Sequence, residues 1–142
     1  EGLPAIAAFA AACRAALPKR TESIARQRRL LAQAQELLRT IDGVQLLGAQ
    51  EAPHILNLAV PGVRSQGLIN ALQERDIYVS AGSACSKGHR SHVLEAIGVD
   101  AAWIDGSVRV SLSDETTEDD IRALAEALPA VLTELRGGGR RV

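Results

Sequence analysis

The sequence predicts an α/β chain of the α+β sandwich kind. This is a small, mostly antiparallel sheet of three or four strands with helices packed on one side. Three observations carry the prediction. Strand-like segments are few and short, and segments with apolar residues at helical spacing separate them. Ser107–Leu112 alternates cleanly, with Val108, Val110 and Leu112 on one side and Ser107, Arg109 and Ser111 on the other. No internal repeat and no long Pro/Gly linker divides the 142 residues, which suffice for one domain with a core.

The elements follow in order. From Pro4 to Leu17 an alanine-rich helix carries Ile6, Ala10, Cys13 and Leu17 on one face, so Cys13 is expected to pack in the core. Pro18 is expected to end it. A second helix runs from about Thr21, a potential N-cap, to Ile41, with the stripe Ile24, Leu31, Ala34, Leu38 and Ile41 and the stop Asp42-Gly43. The cluster Arg26, Arg28, Arg29 reads as its solvated side. Val44–Leu47 and Ile55–Val60 read as strands, with His54 at the start of the second. Ser65 is placed to cap a helix containing Leu68, Ile69 and Leu72, and Ile77–Val79 reads as a short buried strand. Ser91 is placed to cap a short helix carrying Val93, Leu94 and Ile97, closed by Gly98. The last helix opens on Thr116-Thr117-Glu118-Asp119-Asp120, a capping-box pattern with acids at the positive helix end. It buries Ile121, Leu124, Leu128, Leu132 and Leu135, with a kink expected at Pro129. Residues 1–136 are therefore one domain and 137–142 a flexible tail.

Bulk properties exclude several classes. A net charge of −1 gives no electrostatic case for nucleic acid or an anionic membrane, and no apolar run approaches bilayer length. Two cysteines in different settings form no disulfide framework, so a reduced, cytoplasmic setting is the expectation. Aromatic content is 2%, so the core is built from Ala, Leu, Val and Ile. The chain has no methionine and begins at Glu1, which reads as a piece of a longer protein.

Chemistry concentrates around Ser80-Ala81-Gly82-Ser83-Ala84-Cys85-Ser86-Lys87-Gly88. Every residue before Cys85 is small, leaving the sulfur unshielded, and Lys87, His89 and Arg90 follow as groups that favour a thiolate. Cys85 is thus a candidate nucleophile tuned by Lys87 and His89; the rival reading is a small residue filling a tight turn. Arg109, mid-strand between serines, is shaped to hold a carboxylate bidentately, or else sits on a solvated sheet face. Cys85, His89 and His92 suggest a metal, but the set is one ligand short of a closed zinc site and no Cys-x-x-Cys supports it, so no metal is expected. The glycine spacings match no phosphate-binding loop.

Taken together, the motifs resemble the cysteine desulfurases, pyridoxal-phosphate enzymes of the class V aminotransferase group. Glu1-Gly2-Leu3-Pro4 is similar to the Glu-x-x-Pro that opens the C-terminal part of these enzymes. His54-Ile55-Leu56-Asn57-Leu58, Pro61-Gly62-Val63 and Ile77-Tyr78-Val79-Ser80 follow in the family's order. Gly82-Ser83-Ala84-Cys85-Ser86 resembles the catalytic-cysteine loop, with Ser91-His92-Val93-Leu94 after it. Val108-Arg109-Val110-Ser111-Leu112 and Thr116-Thr117-Glu118 complete the set, which spans the chain up to its glycine tail.

The resemblance implies the small C-terminal domain of a fold-type I pyridoxal-phosphate enzyme, homodimeric when complete. Cys85 would take sulfur from L-cysteine as a persulfide, leaving L-alanine, and Arg109 would hold the substrate carboxylate. The sulfur would pass to an acceptor protein, an iron–sulfur scaffold or a tRNA-thiolation enzyme. Three departures qualify it. Ser113-Asp114-Glu115 replaces the family's frequent Gly-Arg-Phe, and the segment between Cys85 and His92 is shorter than in some members. The only lysines are Lys19 and Lys87, neither in the family's Ser-x-His-Lys setting. No bound pyridoxal phosphate is therefore expected in this chain alone, and it is expected to be inactive. Rival readings are a selenocysteine lyase or related class V fragment, and a non-catalytic interaction domain for a sulfur-carrier partner.

Overall fold

Apolar-rich Gln45–Leu47 (β1) and Ile55–Ala59 (β2) and the alternating Ser107–Ser111 (β3) build a three-stranded antiparallel sheet, ordered β1-β2-β3. The computed structural model describes residues 2–81 and 90–137. Leu46 pairs with Leu58, Leu58 with Val108 and Leu56 with Val110, so these side chains share one face. Helices α2 (Arg20–Arg39), α3 (Ser65–Gln73) and α6 (Glu118–Gly137) cover that face through Leu31, Leu38, Leu68, Leu72, Leu124 and Leu128. Burying each such side chain contributes about 1.5–3 kcal/mol. On the opposite face two five-residue helices, α4 (His92–Ala96) and α5 (Ala101–Asp105), press Leu94 and Ile104 onto Leu47 and Ala59.

Several caps form as the sequence indicates. Thr117 Oγ1 accepts from the Asp120 N–H at 3.2 Å, and the Asp120 carboxylate accepts from the Thr117 N–H at 2.8 Å. These bonds hold the Asp120 carboxyl below its usual range. Ser91 Oγ accepts from the Leu94 N–H at the start of α4, and Gly98 closes that helix with φ +79°. Helix α6 runs through Pro129, whose carbonyl accepts from the Thr133 hydroxyl.

Other expectations are corrected. Helix α1 (Leu3–Ala16) buries none of its residues; Leu3, Ile6, Phe9 and Leu17 are 61–73% exposed, and Cys13 is half-buried rather than in the core. The α-helix does end before Pro18, at Ala16, and Pro18 sits in a single 3-10 turn, Leu17–Lys19. That turn also explains why Thr21 caps nothing. The Arg20 N–H already bonds to the Leu17 carbonyl, so α2 is entered from helical geometry. Ser65 is likewise the first helical residue rather than the cap, which is Arg64. Arg26 is not merely solvated: it donates to the carbonyls of Asp114 (2.8 Å) and Thr116. It thereby fixes the turn formed by the divergent Ser113-Asp114-Glu115. Ile77–Val79 is not a strand, because the Ile77 N–H is committed to the Leu72 carbonyl at the end of α3. Pairing with β3 begins only at Ser80. Gly137, expected to begin the tail, is the last residue of α6, and the remaining tail residues 138–142 lie outside the described residues.

Gly106, between α5 and β3, is the most tightly enclosed of the described glycines. A Cβ there would run into the carbonyl oxygens of Val60 and Val63, and the Gly106 carbonyl accepts from the Val60 N–H at 3.1 Å. Backbone atoms cannot rotate out of the way, so Gly106→Ala is expected to destabilise by about 3 kcal/mol or more. Thermal melting of the purified chain checks this: the midpoint should fall by roughly 6–12 °C. An unchanged midpoint would mean that the turn can open.

Candidate functional site

The face of the sheet opposite the long helices carries a polar row. Arg109 on β3 is in register with Asn57 on β2 and, on its other side, with Ser80. Directly opposed residues in an antiparallel pair project to the same side, so all three share this face. Leu47 pairs with Asn57 and ends the row; Gln50 Nε2 donates to the carbonyls of both. Arg109 is half-buried, and its Nε is buried without a hydrogen-bond partner among the described residues. A buried charged donor left unpaired is costly, and a guanidinium edge of this kind suits a carboxylate.

Ser80 brings this row to the cysteine-bearing segment. Its N–H donates to the Arg109 carbonyl at 3.1 Å, and the Arg109 N–H donates to the Ser80 carbonyl at 2.6 Å. Cys85, Lys87 and His89 lie outside the described residues. Chain length alone keeps the Cys85 Cα within about 17 Å of the Ser80 Cα, five residues away. On the far side Arg90, one of the groups the sequence offers to favour a thiolate, pairs with Asp105. Arg90 Nε and Nη2 donate to the two carboxylate oxygens at 2.6 and 2.7 Å. The Asp105 carboxyl is held below its usual range by that guanidinium, and Arg90 is pushed further up by the same bond. Arg90 is thus already paired with a carboxylate among the described residues. His92 is exposed at the first position of α4.

The residues described do not fit pyridoxal phosphate by themselves. Lys19 stands exposed in the 3-10 turn, so the sheet's polar row contains a guanidinium but no described amine to bind the cofactor's aldehyde. No group of three His, Cys, Asp or Glu positioned for a metal occurs among the described residues. None of the described helices is long and apolar enough to cross a membrane. An open groove of about 600 Å³ lies between α2 and α6, lined by Leu37, Ile41, Pro129 and Arg136 among others. It is a feature of the helical layer and does not include Arg109.

The sequence singles out Arg109 but not the row it stands in. Asn57 and Ser80 are unremarkable polar residues until register places them beside it, and Asp105 is unmarked until Arg90 reaches it.

Comparisons with known proteins agree on one group. The profile of the family described as "Aminotransferase class-V" matches residues 2–124. An "IscS-like cysteine desulfurase" of Mycobacterium tuberculosis is 36% identical over 145 residues, covering 96% of this chain and 37% of that protein. A "Cysteine desulfurase" of Azospirillum brasilense is 37% identical over 87 residues, covering 60% of this chain and 22% of that protein. Among solved structures, a "NifS-like protein" superposes with a TM-score of 0.81 at 26% identity, over 95% of this chain and 35% of its own. The cysteine desulfurase CsdA of Escherichia coli, in an S-sulfonic acid form, gives a TM-score of 0.61 at 25% identity, over 77% and 25%. The chain thus spans between about a fifth and two fifths of the length of these proteins.

Proposed function

The chain belongs to the class-V aminotransferase family, and from that premise we propose that it is the C-terminal domain of a cysteine desulfurase. In the whole protein, a homodimer, Arg109 holds the α-carboxylate of L-cysteine and Cys85 is the nucleophile. The Cys85 thiolate attacks the substrate sulfur, and the substrate's C–S bond breaks with its electron pair left to carbon. That carbon takes up a proton to become the methyl group of L-alanine, and the sulfur stays on Cys85 as a persulfide. That persulfide then passes to an acceptor protein serving iron–sulfur cluster assembly or tRNA thiolation. The electrons of the broken C–S bond need a sink, which is the chemistry pyridoxal phosphate supplies from the part of the protein outside this chain.

The observation that supports this reading most is the Ser80–Arg109 backbone pair beside an Nε with no described partner. It ties the start of the cysteine segment to the guanidinium suited to a carboxylate. Neutral Asn57 beside Arg109 adds a polar neighbour without a competing negative charge.

The test is mass spectrometry of the full-length protein after exposure to L-cysteine. The peptide containing Cys85 should gain one sulfur atom, with alanine released in step; sulfur found on Cys13 instead would overturn the assignment. The 142-residue chain alone, incubated with pyridoxal phosphate, should develop no visible absorbance of lysine-bound cofactor and release no alanine from cysteine. Turnover by the chain alone would refute the claim that the cofactor lysine lies elsewhere.

A further inference from the structure

Asn57 and Arg109 face each other across β2 and β3. The N–H and C=O of Arg109 both bond to Ser80, on its other side, so Asn57 and Arg109 form a non-hydrogen-bonded pair. In such a pair the Cα atoms approach to about 4.5 Å, and the side chains stand closer than in the hydrogen-bonded kind. The Asn57 amide is therefore the β2 group that register sets nearest the guanidinium.

The other positions around Arg109 on this face offer no counter-charge. Its diagonal neighbours on β2 are Ile55 and Ala59, and its neighbours along β3 are Ser107 and Ser111. The Ser107 hydroxyl donates to the Ile104 carbonyl at 2.8 Å. None of the three strands contains Asp or Glu, and Asp105, the acid nearest Arg109 in sequence, is bonded to Arg90.

Position 57 thus decides what the guanidinium is available for. Arg109 Nε is buried with no partner among the described residues, a costly state for a charged donor. An aspartate, nearly the same shape as asparagine, would satisfy it from within by a charge-assisted bond and would repel an arriving anion. Asparagine keeps the shape, omits the charge and offers two amide N–H donors. A group left unsatisfied in the fold so that a ligand can satisfy it exchanges stability for binding.

We propose that Asn57 is a specificity-determining residue: its neutral amide leaves the charge of Arg109 for an incoming carboxylate and donates an N–H to one oxygen of that carboxylate. That the carboxylate is the one on L-cysteine rests on the functional reading above; the control of Arg109 by position 57 does not.

The experiment compares full-length wild-type protein with Asn57→Asp and Asn57→Ala, using L-alanine as the probe in a calorimetric titration. L-alanine carries the α-carboxylate without a thiol, so its binding needs no sulfur chemistry. Asn57→Ala, which loses a donor, should weaken binding about three- to tenfold. Asn57→Asp, which adds an opposing charge and an internal partner, should weaken it about thirtyfold or more. The thermal midpoint of Asn57→Asp should nevertheless rise by about 1–3 °C, because the introduced carboxylate satisfies the guanidinium, while that of Asn57→Ala should not rise. A merely structural role would lower binding and stability together. Equal losses of binding in the two variants, or a lower midpoint in Asn57→Asp, would overturn the proposal. Variants that bind L-alanine like a wild-type protein active on cysteine would also overturn it and leave the functional reading standing. A wild-type protein that neither binds L-alanine nor desulfurates cysteine would defeat the functional reading, and the midpoint of Asn57→Asp would still decide whether position 57 controls Arg109.

Discussion

Replacing Cys85 by Ser in the full-length protein is expected to abolish sulfur transfer, lowering turnover of L-cysteine by about a thousandfold or more. A serine hydroxyl is of similar size but is scarcely ionised at neutral pH and forms no stable bond to sulfane sulfur, so the acceptor atom is lost while its surroundings remain. Substrate binding should persist, because the proposed carboxylate contact belongs to Arg109 on β3, whose backbone partner is Ser80. Cys13→Ser supplies the control. That residue is half-buried on α1, outside the polar row, and its loss should leave kinetics within about twofold. The measurement is alanine release together with persulfide labelling of the Cys85 peptide. Wild-type turnover by the Cys85→Ser enzyme would remove Cys85 from the chemistry.

Arg109→Lys should cost about 2–4 kcal/mol of transition-state stabilisation, roughly thirty- to a thousandfold in kcat/KM for L-cysteine. An ammonium keeps the charge but not the planar fork, and its single nitrogen cannot replace the Nε edge that is already buried with no partner among the described residues. Charge conservation therefore should not rescue the enzyme. Direct persulfidation of Cys85 by an external sulfane donor bypasses the carboxylate and should proceed at the wild-type rate. Steady-state kinetics alongside that bypass reaction separate the two effects. Unchanged kinetics in Arg109→Lys would show that the carboxylate is held elsewhere.

What could be read in the sequence were features whose causes are local. β3 declares itself because Val108 and Val110 alternate with Ser107, Arg109 and Ser111, and the start of α6 because Thr117 and Asp120 satisfy each other's backbone N–H groups. Cap, period and strand face need no knowledge of distant partners. The row Asn57–Arg109–Ser80 was hidden because register joins residues up to 52 positions apart, and no property of Asn57 alone announces its neighbour. Helix α5 spans five residues, too few for a period to show. Arg26 looked solvated because its acceptors are carbonyls 88 and 90 residues away, and carbonyls carry no sequence signature. The error at α1 is of another kind. A stripe of apolar side chains states that a face is suited to burial, not what will bury it.

The consequence for α1 is thermodynamic. Eight of its 14 residues are alanine and none is buried, so its order draws on intrinsic propensity, not on the core. An isolated helix of that length is marginal in water, and here chiefly the turn into α2 supports it. The chain therefore contains segments with two separate opening free energies: a leucine-rich core that opens only with global unfolding, and an N-terminal helix whose opening exposes no buried side chain and costs much less. Circular dichroism would see that helix melt gradually beneath a cooperative transition belonging to the rest, and a two-state fit to the summed signal would misjudge the stability of both.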